Sequence, residues 1–217
     1  MFPRSLQNWA RGIAEGVVTP LARMGVTPNA ITIVGFLFNV VTAGVIATGH
    51  LTIGSILLFL SALFDMLDGA LARVSARQSR FGAFLDSLLD RYSEAVVLSA
   101  LIYVFTVRGN TPVVMLVYVV AIGSVLISYA RARAEGLGLD AKVGIAPRPE
   151  RIIILGVGLL INHRTTIAAL VILAILTHFT AIQRLYHVWR QTEAGPPSPP
   201  EEVERVAAAE RDRSLSH

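Results

Sequence analysis

The sequence has no cysteine and few charged residues. Without cysteine the chain cannot form a disulfide, a zinc–thiolate site or a thiol nucleophile. Only 16% of the 217 residues are charged, whereas 53% are hydrophobic, and the mean hydropathy is +0.60. Soluble domains carry about 25% charged residues. The composition therefore excludes an ordinary soluble protein and indicates a protein of the lipid bilayer.

The formal net charge of +4 does not indicate a nucleic-acid-binding protein. Such proteins gather lysine and arginine on one polar face, whereas here the basic residues lie between apolar runs. An anionic membrane surface or an anionic substrate is the better match for this distribution.

Six apolar segments predict an all-α integral membrane protein with six transmembrane helices, at roughly 20 residues for each crossing. They form one domain over residues 29–190, and the fifth is short. The segments span about 30–49, 51–75, 80–107, 112–134, 149–162 and 165–187.

The two ends of the chain differ from this domain. Apolar residues recur every three or four positions over residues 5–24, including Trp9 and Ile13, which predicts an interfacial amphipathic helix within residues 1–28. Residues 191–217 are rich in proline, glutamate and arginine, which predicts a polar, disordered tail.

The basic residues also predict how the protein lies in the cell membrane. With the N-terminus in the cytoplasm, only Arg108 and Arg164 of the 19 lysines and arginines fall on the far side. Positive residues accumulate on the cytoplasmic side of membrane proteins. We therefore expect a multi-pass protein with both termini in the cytoplasm.

Four aspartates interrupt the second and third apolar segments. Each unpaired charge in a membrane helix costs on the order of 3 kcal/mol. Asp65 and Asp68 are three residues apart and Asp86 and Asp90 are four apart, so each pair shares a helix face. In an antiparallel hairpin that turns near Arg77, the four carboxylates would meet at matching depth. Two divalent cations would neutralise them, and oxygen ligands favour Mg²⁺ or Mn²⁺.

The aspartates could also serve a structural role or an ion path. Arg73 and Arg91 could pair with some of them, although two arginines cannot balance four aspartates and Glu94. A cation transporter or a proton path would likewise place acids in the membrane. The acids lie near the predicted cytoplasmic turn and do not continue to the far side, which favours a reaction centre open to the cytoplasm.

The spacing of these residues resembles a known family signature. The chain reads Asp65-Met-Leu-Asp68-Gly69-Ala-Leu-Ala72-Arg73, then, after eight residues, Gly82-Ala-Phe-Leu-Asp86-Ser-Leu-Leu-Asp90. This pattern resembles the signature of the CDP-alcohol phosphatidyltransferases at all eight defining positions. The resemblance implies a homodimeric membrane enzyme in which an alcohol attacks the β-phosphorus of a CDP-linked lipid, CDP-diacylglycerol, and releases CMP.

The resemblance also implies roles for individual residues. Asp65, Asp68 and Asp86 would hold one metal ion, and Asp65, Asp86 and Asp90 a second, with Asp90 as the catalytic base. The residues expected to contact the CDP-lipid are Asn29, Ala30, Ile31, Thr32, Gly69, Arg73 and Ser79. Gly69 would leave space for the nucleotide, and Arg73 would supply charge. Taken alone, the segment from Pro28 to Thr32 predicts only the start of a helix.

The second half of the chain bears on the acceptor alcohol. Five arginines near the predicted cytoplasmic face could bind an acceptor phosphate, since arginine can bind phosphate bidentately, or could simply be a positive flank. They are Arg131, Arg133, Arg148, Arg151 and Arg184. Their surroundings resemble the branch of the family that makes phosphatidylinositol phosphate. The expected acceptor is therefore inositol 1-phosphate, with glycerol 3-phosphate as the alternative. Glu94 could support the metal site, pair with Arg91 or line a helix interface.

Overall fold

The protein is all-helical over the residues that the computed structural model describes, which are 16, 18–75 and 79–193. Residues 18–23 are helical. Six longer helices follow: α1 (Pro28–Ala47), α2 (Leu51–Val74), α3 (Arg80–Val107), α4 (Thr111–Gly136), α5 (Arg148–Ile161) and α6 (His163–Glu193). The all-α fold class is confirmed over this part of the chain, and the helices follow the six predicted apolar segments. Most of the predicted amphipathic helix and nearly all of the predicted tail lie outside the described residues.

Short polar side chains and prolines set the helix starts. Thr27 caps α1, and its hydroxyl accepts a hydrogen bond from the amide of Ala30 at 3.3 Å, directly before Pro28. Ser79 caps α3 in the same way through the amide of Gly82 at 2.9 Å. Such caps satisfy amides that the first helical turn leaves without partners.

The helices pack as a closed ring, in which α1 with α2, α3 with α4 and α5 with α6 form hairpins but α2 with α3 does not. Around the ring the order is α2, α1, α3, α4, α6 and α5, and α5 packs against α2 again. The prediction of a hairpin between the two aspartate-bearing helices is therefore wrong in one respect. Helices α2 and α3 do not pack against each other, because α1 contacts both of them. This arrangement leaves room for a site between α2 and α3.

The core of the ring is apolar, and so is much of its outer surface. Residues such as Leu101, Phe105 and Leu170 are fully buried at the centre. Large apolar side chains also point outwards, including Val107 and Ile175, which are 71% and 64% exposed. An outer surface of this kind matches contact with lipid rather than with water.

Among the residues that the structure describes, four helices are long and apolar enough to cross a membrane: α1, α2, α4 and α6. Helix α3 has 28 residues but carries charged residues in its first half. Helix α5 has only 14 residues, about 21 Å at 1.5 Å for each residue, which is less than the roughly 30 Å of a bilayer core. The helices support a multi-pass membrane protein, and the number of six crossings stays a prediction.

Candidate active site

The four aspartates line the gap between α2 and α3. Asp65 and Asp68 lie on α2, and Asp86 and Asp90 lie on α3. A single nitrogen, Nη1 of Arg148, donates hydrogen bonds to Asp65 Oδ2 at 2.7 Å and to Asp90 Oδ1. These two carboxylates, one from each helix, therefore reach the same nitrogen atom.

The other two aspartates have different surroundings. Asp68 is buried, and its Oδ2 accepts a hydrogen bond from the hydroxyl of Thr32 at 3.0 Å. The carboxylate of Asp86 forms no hydrogen bond or ion pair with any residue that the structure describes. One guanidinium thus bonds two of the four carboxylates, and its single positive charge leaves the cluster with an excess of negative charge.

The aspartates form an oxygen-donor set suited to a hard divalent cation. Within residues 16, 18–75 and 79–193, no three acidic or histidine side chains converge closely enough to enclose a metal ion. The positively charged guanidinium of Arg148 lies between Asp65 and Asp90, where it forms an ion pair with each carboxylate. Its position demonstrates that carboxylates from both helices can reach one positive centre.

A first cavity, called cavity I, has a volume of about 310 Å³ and lies where α1, α2 and α3 meet. Five of the seven residues predicted to contact a CDP-lipid line it: Asn29, Thr32, Gly69, Arg73 and Ser79. Ala30 and Ile31 do not line this cavity. Ile31 is instead buried against Val18, Ala70 and Leu71, so its side chain stabilises the packing of α1 on α2.

The two glycines of the signature have different surroundings. A Cβ atom added to Gly69 would lie 3.6 Å from the nearest side-chain atom, an ordinary contact, and would extend beside cavity I. A Cβ atom on Gly82 would lie only 2.8 Å from Oδ1 of Asn29. Both glycines line cavity I, but only Gly82 permits the close approach of α1 and α3 as well.

A second cavity, called cavity II, has a volume of about 440 Å³ and is bordered by α3, α4, α5 and α6. Four of the five predicted acceptor arginines line it: Arg131, Arg148, Arg151 and Arg184. Arg133 is exposed and does not line it. Asp86 and Ala83 line both cavities, so the two spaces meet at the aspartates.

Two of these arginines are held in place by buried hydrogen bonds. Arg151 is 5% exposed and forms a two-pronged ion pair with Glu94, at 2.8 and 2.7 Å. Arg184 donates from Nε to the carbonyl of Val143 at 2.9 Å and also bonds the carbonyl of Ile127. Both side chains are therefore fixed before any ligand binds.

The structure answers the question that the sequence left open for Glu94. Its partners are Arg151 and the hydroxyl of Ser124, at 3.0 Å, and not Arg91. Arg91 bonds the hydroxyl of Ser87, one turn earlier on α3, and lines cavity II. Sequence reasoning treated Arg91 only as a partner for acids. Arg91 lies four residues after Ser87 and three before Glu94, so the three side chains share one helix face. This spacing could have predicted that Arg91 lines cavity II.

Comparisons with known proteins identify similar chains. The family model of CDP-alcohol phosphatidyltransferase matches residues 25–189. The chain is 39% identical to archaetidylinositol phosphate synthase of Methanothermobacter thermautotrophicus, over 86% of this chain and 96% of that protein. It is 37% identical to phosphatidylinositol phosphate synthase of Mycobacteroides abscessus, over 81% and 83% of the two chains.

Solved structures of a similar protein show the same fold. Phosphatidylinositol phosphate synthase of Mycobacterium tuberculosis with CDP-DAG bound superposes with a TM-score of 0.75 and 34% identity, covering 83% of this chain and 93% of that one. A structure of the same enzyme with manganese and citrate gives a TM-score of 0.74, at 34% identity, and covers 83% and 88%.

Proposed function

The chain belongs to the CDP-alcohol phosphatidyltransferase family, and from that membership we propose that it makes phosphatidylinositol phosphate. It would transfer the phosphatidyl group of CDP-diacylglycerol to inositol 1-phosphate and release CMP. The observation that carries this proposal is the meeting of two cavities at Asp86, one with the predicted CDP-lipid residues and one rich in arginine.

The arginines of cavity II favour a phosphorylated acceptor. Arg131, Arg148, Arg151 and Arg184 line the same space, where their guanidinium groups offer charged donors that would bind a phosphate more strongly than a neutral alcohol. The similar proteins named above are inositol phosphate synthases, which supports inositol 1-phosphate over glycerol 3-phosphate. Membership in a family of transferases supports an enzyme over a cation transporter.

Two divalent cations, Mg²⁺ or Mn²⁺, complete the proposal. Asp65, Asp68 and Asp86 would hold one, and Asp65, Asp86 and Asp90 the other. The chemistry of the donor set fits, because all four side chains offer oxygen and their charge exceeds that of Arg148. When bound, such ions would neutralise negative charge on the phosphate oxygens and on the departing CMP.

The side chains of the site would divide the work. Asp90, which lines cavity II, would accept the proton of the attacking hydroxyl. The new bond joins that oxygen to the β-phosphorus, the bond from this phosphorus to CMP breaks, and CMP leaves with the electron pair. Arg73 would bind the nucleotide phosphates through its forked donors, and the hydroxyls of Thr32 and Ser79 face the same space.

The proposal includes the placement of the enzyme. We place the active site and both termini on the cytoplasmic side of the cell membrane. The arginines of cavity II lie at that end of the helices, and of the described basic residues only Arg108 and Arg164 lie at the other. We also propose that the enzyme is a homodimer, as its family resemblance implies.

The proposal is tested by measuring CMP release from purified protein in detergent with CDP-diacylglycerol and Mg²⁺. The acceptors to compare are inositol 1-phosphate, glycerol 3-phosphate, free inositol and serine, with a CDP-linked ether lipid as a second donor. We expect release with inositol 1-phosphate and a phosphatidylinositol phosphate product by mass spectrometry. Release with glycerol 3-phosphate alone would assign cavity II to that acceptor. Metal flux into liposomes without CMP would support a transporter.

The matched control for this assay is Asp90→Asn. Loss of the base should abolish turnover, by at least about 10²-fold, while CDP-diacylglycerol still binds, because Asp90 does not line cavity I. Turnover near the wild-type rate would remove the role of base from Asp90.

A further inference from the structure

Arg148 occupies an unusual position for a residue expected to bind a substrate phosphate. It is the first residue of α5, and its guanidinium bridges Asp65 on α2 and Asp90 on α3. It therefore contacts the carboxylates proposed to hold metal ions, and it also lines cavity II. The same side chain touches both halves of the site.

The bridge leaves the guanidinium incompletely bonded. Nη1 alone serves both carboxylates, whereas Nε of Arg148 is buried and has no hydrogen-bond partner among the described residues. A buried donor without an acceptor carries a free-energy cost. A divalent cation would bring twice the charge to the same two oxygens, so the carboxylates can exchange the guanidinium for such an ion.

The neighbouring space can receive the displaced side chain. Cavity II, at about 440 Å³, already has Arg148 in its wall. Pro147 precedes Arg148 and Pro149 follows it. Each proline ring fixes its own φ angle, which stiffens the backbone at the start of α5. A change in side-chain torsions is then enough to turn the guanidinium from the aspartates towards the cavity.

The other arginines of cavity II do not share this position. Arg151 is paired with Glu94, Arg184 bonds two carbonyl groups, and Arg131 is paired with Glu135 at 2.8 Å. Within the described part of the chain, Arg148 alone forms ion pairs with the aspartates.

We infer that Arg148 is an exchangeable counter-ion, which bonds Asp65 and Asp90 before a metal ion binds and bonds the acceptor's phosphate afterwards. This inference rests on the proposed function and deepens it, since it links two binding events. Metal binding would release a positive charge into cavity II, and the acceptor's phosphate would hold that charge away from the aspartates. Such coupling is reciprocal, so each ligand should raise the affinity of the enzyme for the other by the same factor.

The test is the affinity for Mn²⁺ of the purified full-length chain in detergent, measured from the loss of the free-ion EPR signal. Arg148→Gln removes the guanidinium that competes with Mn²⁺ for Asp65 and Asp90. The Mn²⁺ affinity of this variant should therefore be about 5- to 150-fold higher than that of the wild type. Arg148→Lys should give a smaller increase, because an ammonium keeps the charge but lacks the planar fork of a guanidinium. Arg131→Gln removes the same charge from the same cavity without touching Asp65 or Asp90, and should change the affinity by less than about threefold.

A second measurement tests the link to the acceptor. Saturating inositol 1-phosphate should raise the Mn²⁺ affinity of the wild type and of Arg131→Gln, and should have little effect on Arg148→Gln. Unchanged or weaker Mn²⁺ binding in both Arg148 variants would overturn the inference, as would full coupling in Arg148→Gln. If Arg148→Gln does not fold, Arg148→Lys decides the result by the same criteria.

The two proposals can fail separately. Wild-type CMP release together with unaltered Mn²⁺ affinity in the Arg148 variants would reject the counter-ion and keep the transferase. Absence of both Mn²⁺ binding and CMP release in the wild type would reject the metal-dependent function and the counter-ion with it.

Discussion

Cavities I and II meet at Asp86 but differ in charge and in origin. Cavity I draws on α1, α2 and α3 and has one arginine, Arg73, in its wall. Cavity II draws on α3 to α6 and has five. A ligand in cavity I would be recognised by shape and a few hydroxyls, whereas one in cavity II would be recognised by its charge.

Hydrogen bonds and ion pairs also hold three of the arginines of cavity II in place. Arg151 and Arg184 are buried and bonded to Glu94 and to backbone carbonyls, and Arg148 bridges two aspartates. Four carboxylates line the same cavity, so the five arginines leave it only a small excess of positive charge, and the packing of the helices fixes where that charge lies. Holding charges in fixed positions limits the reorganisation that ligand binding requires.

The largest difference between the KM values of the two substrates is expected for Arg151→Ala. Loss of a charged hydrogen-bond donor costs about 1.5–3 kcal/mol, so the KM for inositol 1-phosphate should rise roughly 10- to 150-fold. The KM for CDP-diacylglycerol should change little, because Arg151 does not line cavity I. Steady-state kinetics with each substrate varied in turn measures both values.

This variant also leaves Glu94 buried and unpaired, which can cost about 3–5 kcal/mol of stability. The double variant Glu94→Gln with Arg151→Ala is the matched control, since it removes that charge. Its thermal stability should recover while the acceptor KM stays high. Recovery of both would mean that Arg151 serves only the fold.

Intermediate effects are expected at the two signature glycines, Gly69 and Gly82. One substitution should mainly raise the KM for CDP-diacylglycerol, and the other should mainly lower the thermal stability. Gly69→Ala adds a methyl group beside cavity I without a clash, so the KM for CDP-diacylglycerol should rise about tenfold at unchanged Tm. Gly82→Ala places a methyl group 2.9 Å from Oγ of Ser79, which caps α3, so disturbance of that cap should cost about 0.5–2 kcal/mol of stability. Kinetics and thermal unfolding of both variants check this. Gly82 also lines cavity I, so a rise in KM there is compatible with its packing role, whereas an unchanged Tm in Gly82→Ala would contradict it.

The smallest effect is expected for Arg133→Ala. Its side chain is exposed and does not line cavity II, and surface substitutions of this kind usually stay within about 0.5 kcal/mol. Acceptor KM should therefore change by about twofold or less, against the large change at Arg151. If Arg133→Ala raises the acceptor KM as much as Arg151→Ala does, Arg133 belongs to the acceptor site. Cavity II would then extend beyond the residues that line it in this structure.

The residues of cavity I were predictable because they lie close together in the sequence. Residues 28–32 begin one helix, and the signature from Asp65 to Asp90 occupies the facing parts of two more. Helical spacing alone puts Asp65 with Asp68 and Asp86 with Asp90. Ile31 shows the limit of such reasoning, since a residue next to Thr32 on the same helix turns into the core instead.

The residues of cavity II were predictable only in type. Arginine at positions 131, 133, 148, 151 and 184 indicated an anion site, but the spacing did not separate Arg133 from the rest. Glu94 had three possible roles, and its partner lies 57 residues away on α5. No local pattern links those two positions, because only the closed ring of helices brings α3 and α5 within reach of each other's side chains.

The sequence by itself determined the class of this protein. Its apolar segments define helices, because a backbone in lipid must satisfy its own hydrogen bonds, and the signature identifies the family. The tertiary structure alone decided that α1 separates the two aspartate-bearing helices, that Glu94 holds Arg151, and that Arg148 lies between Asp65 and Asp90. Each of these depends on which helices are neighbours, and helix packing is set by side-chain shape around the whole ring rather than by spacing along any one helix.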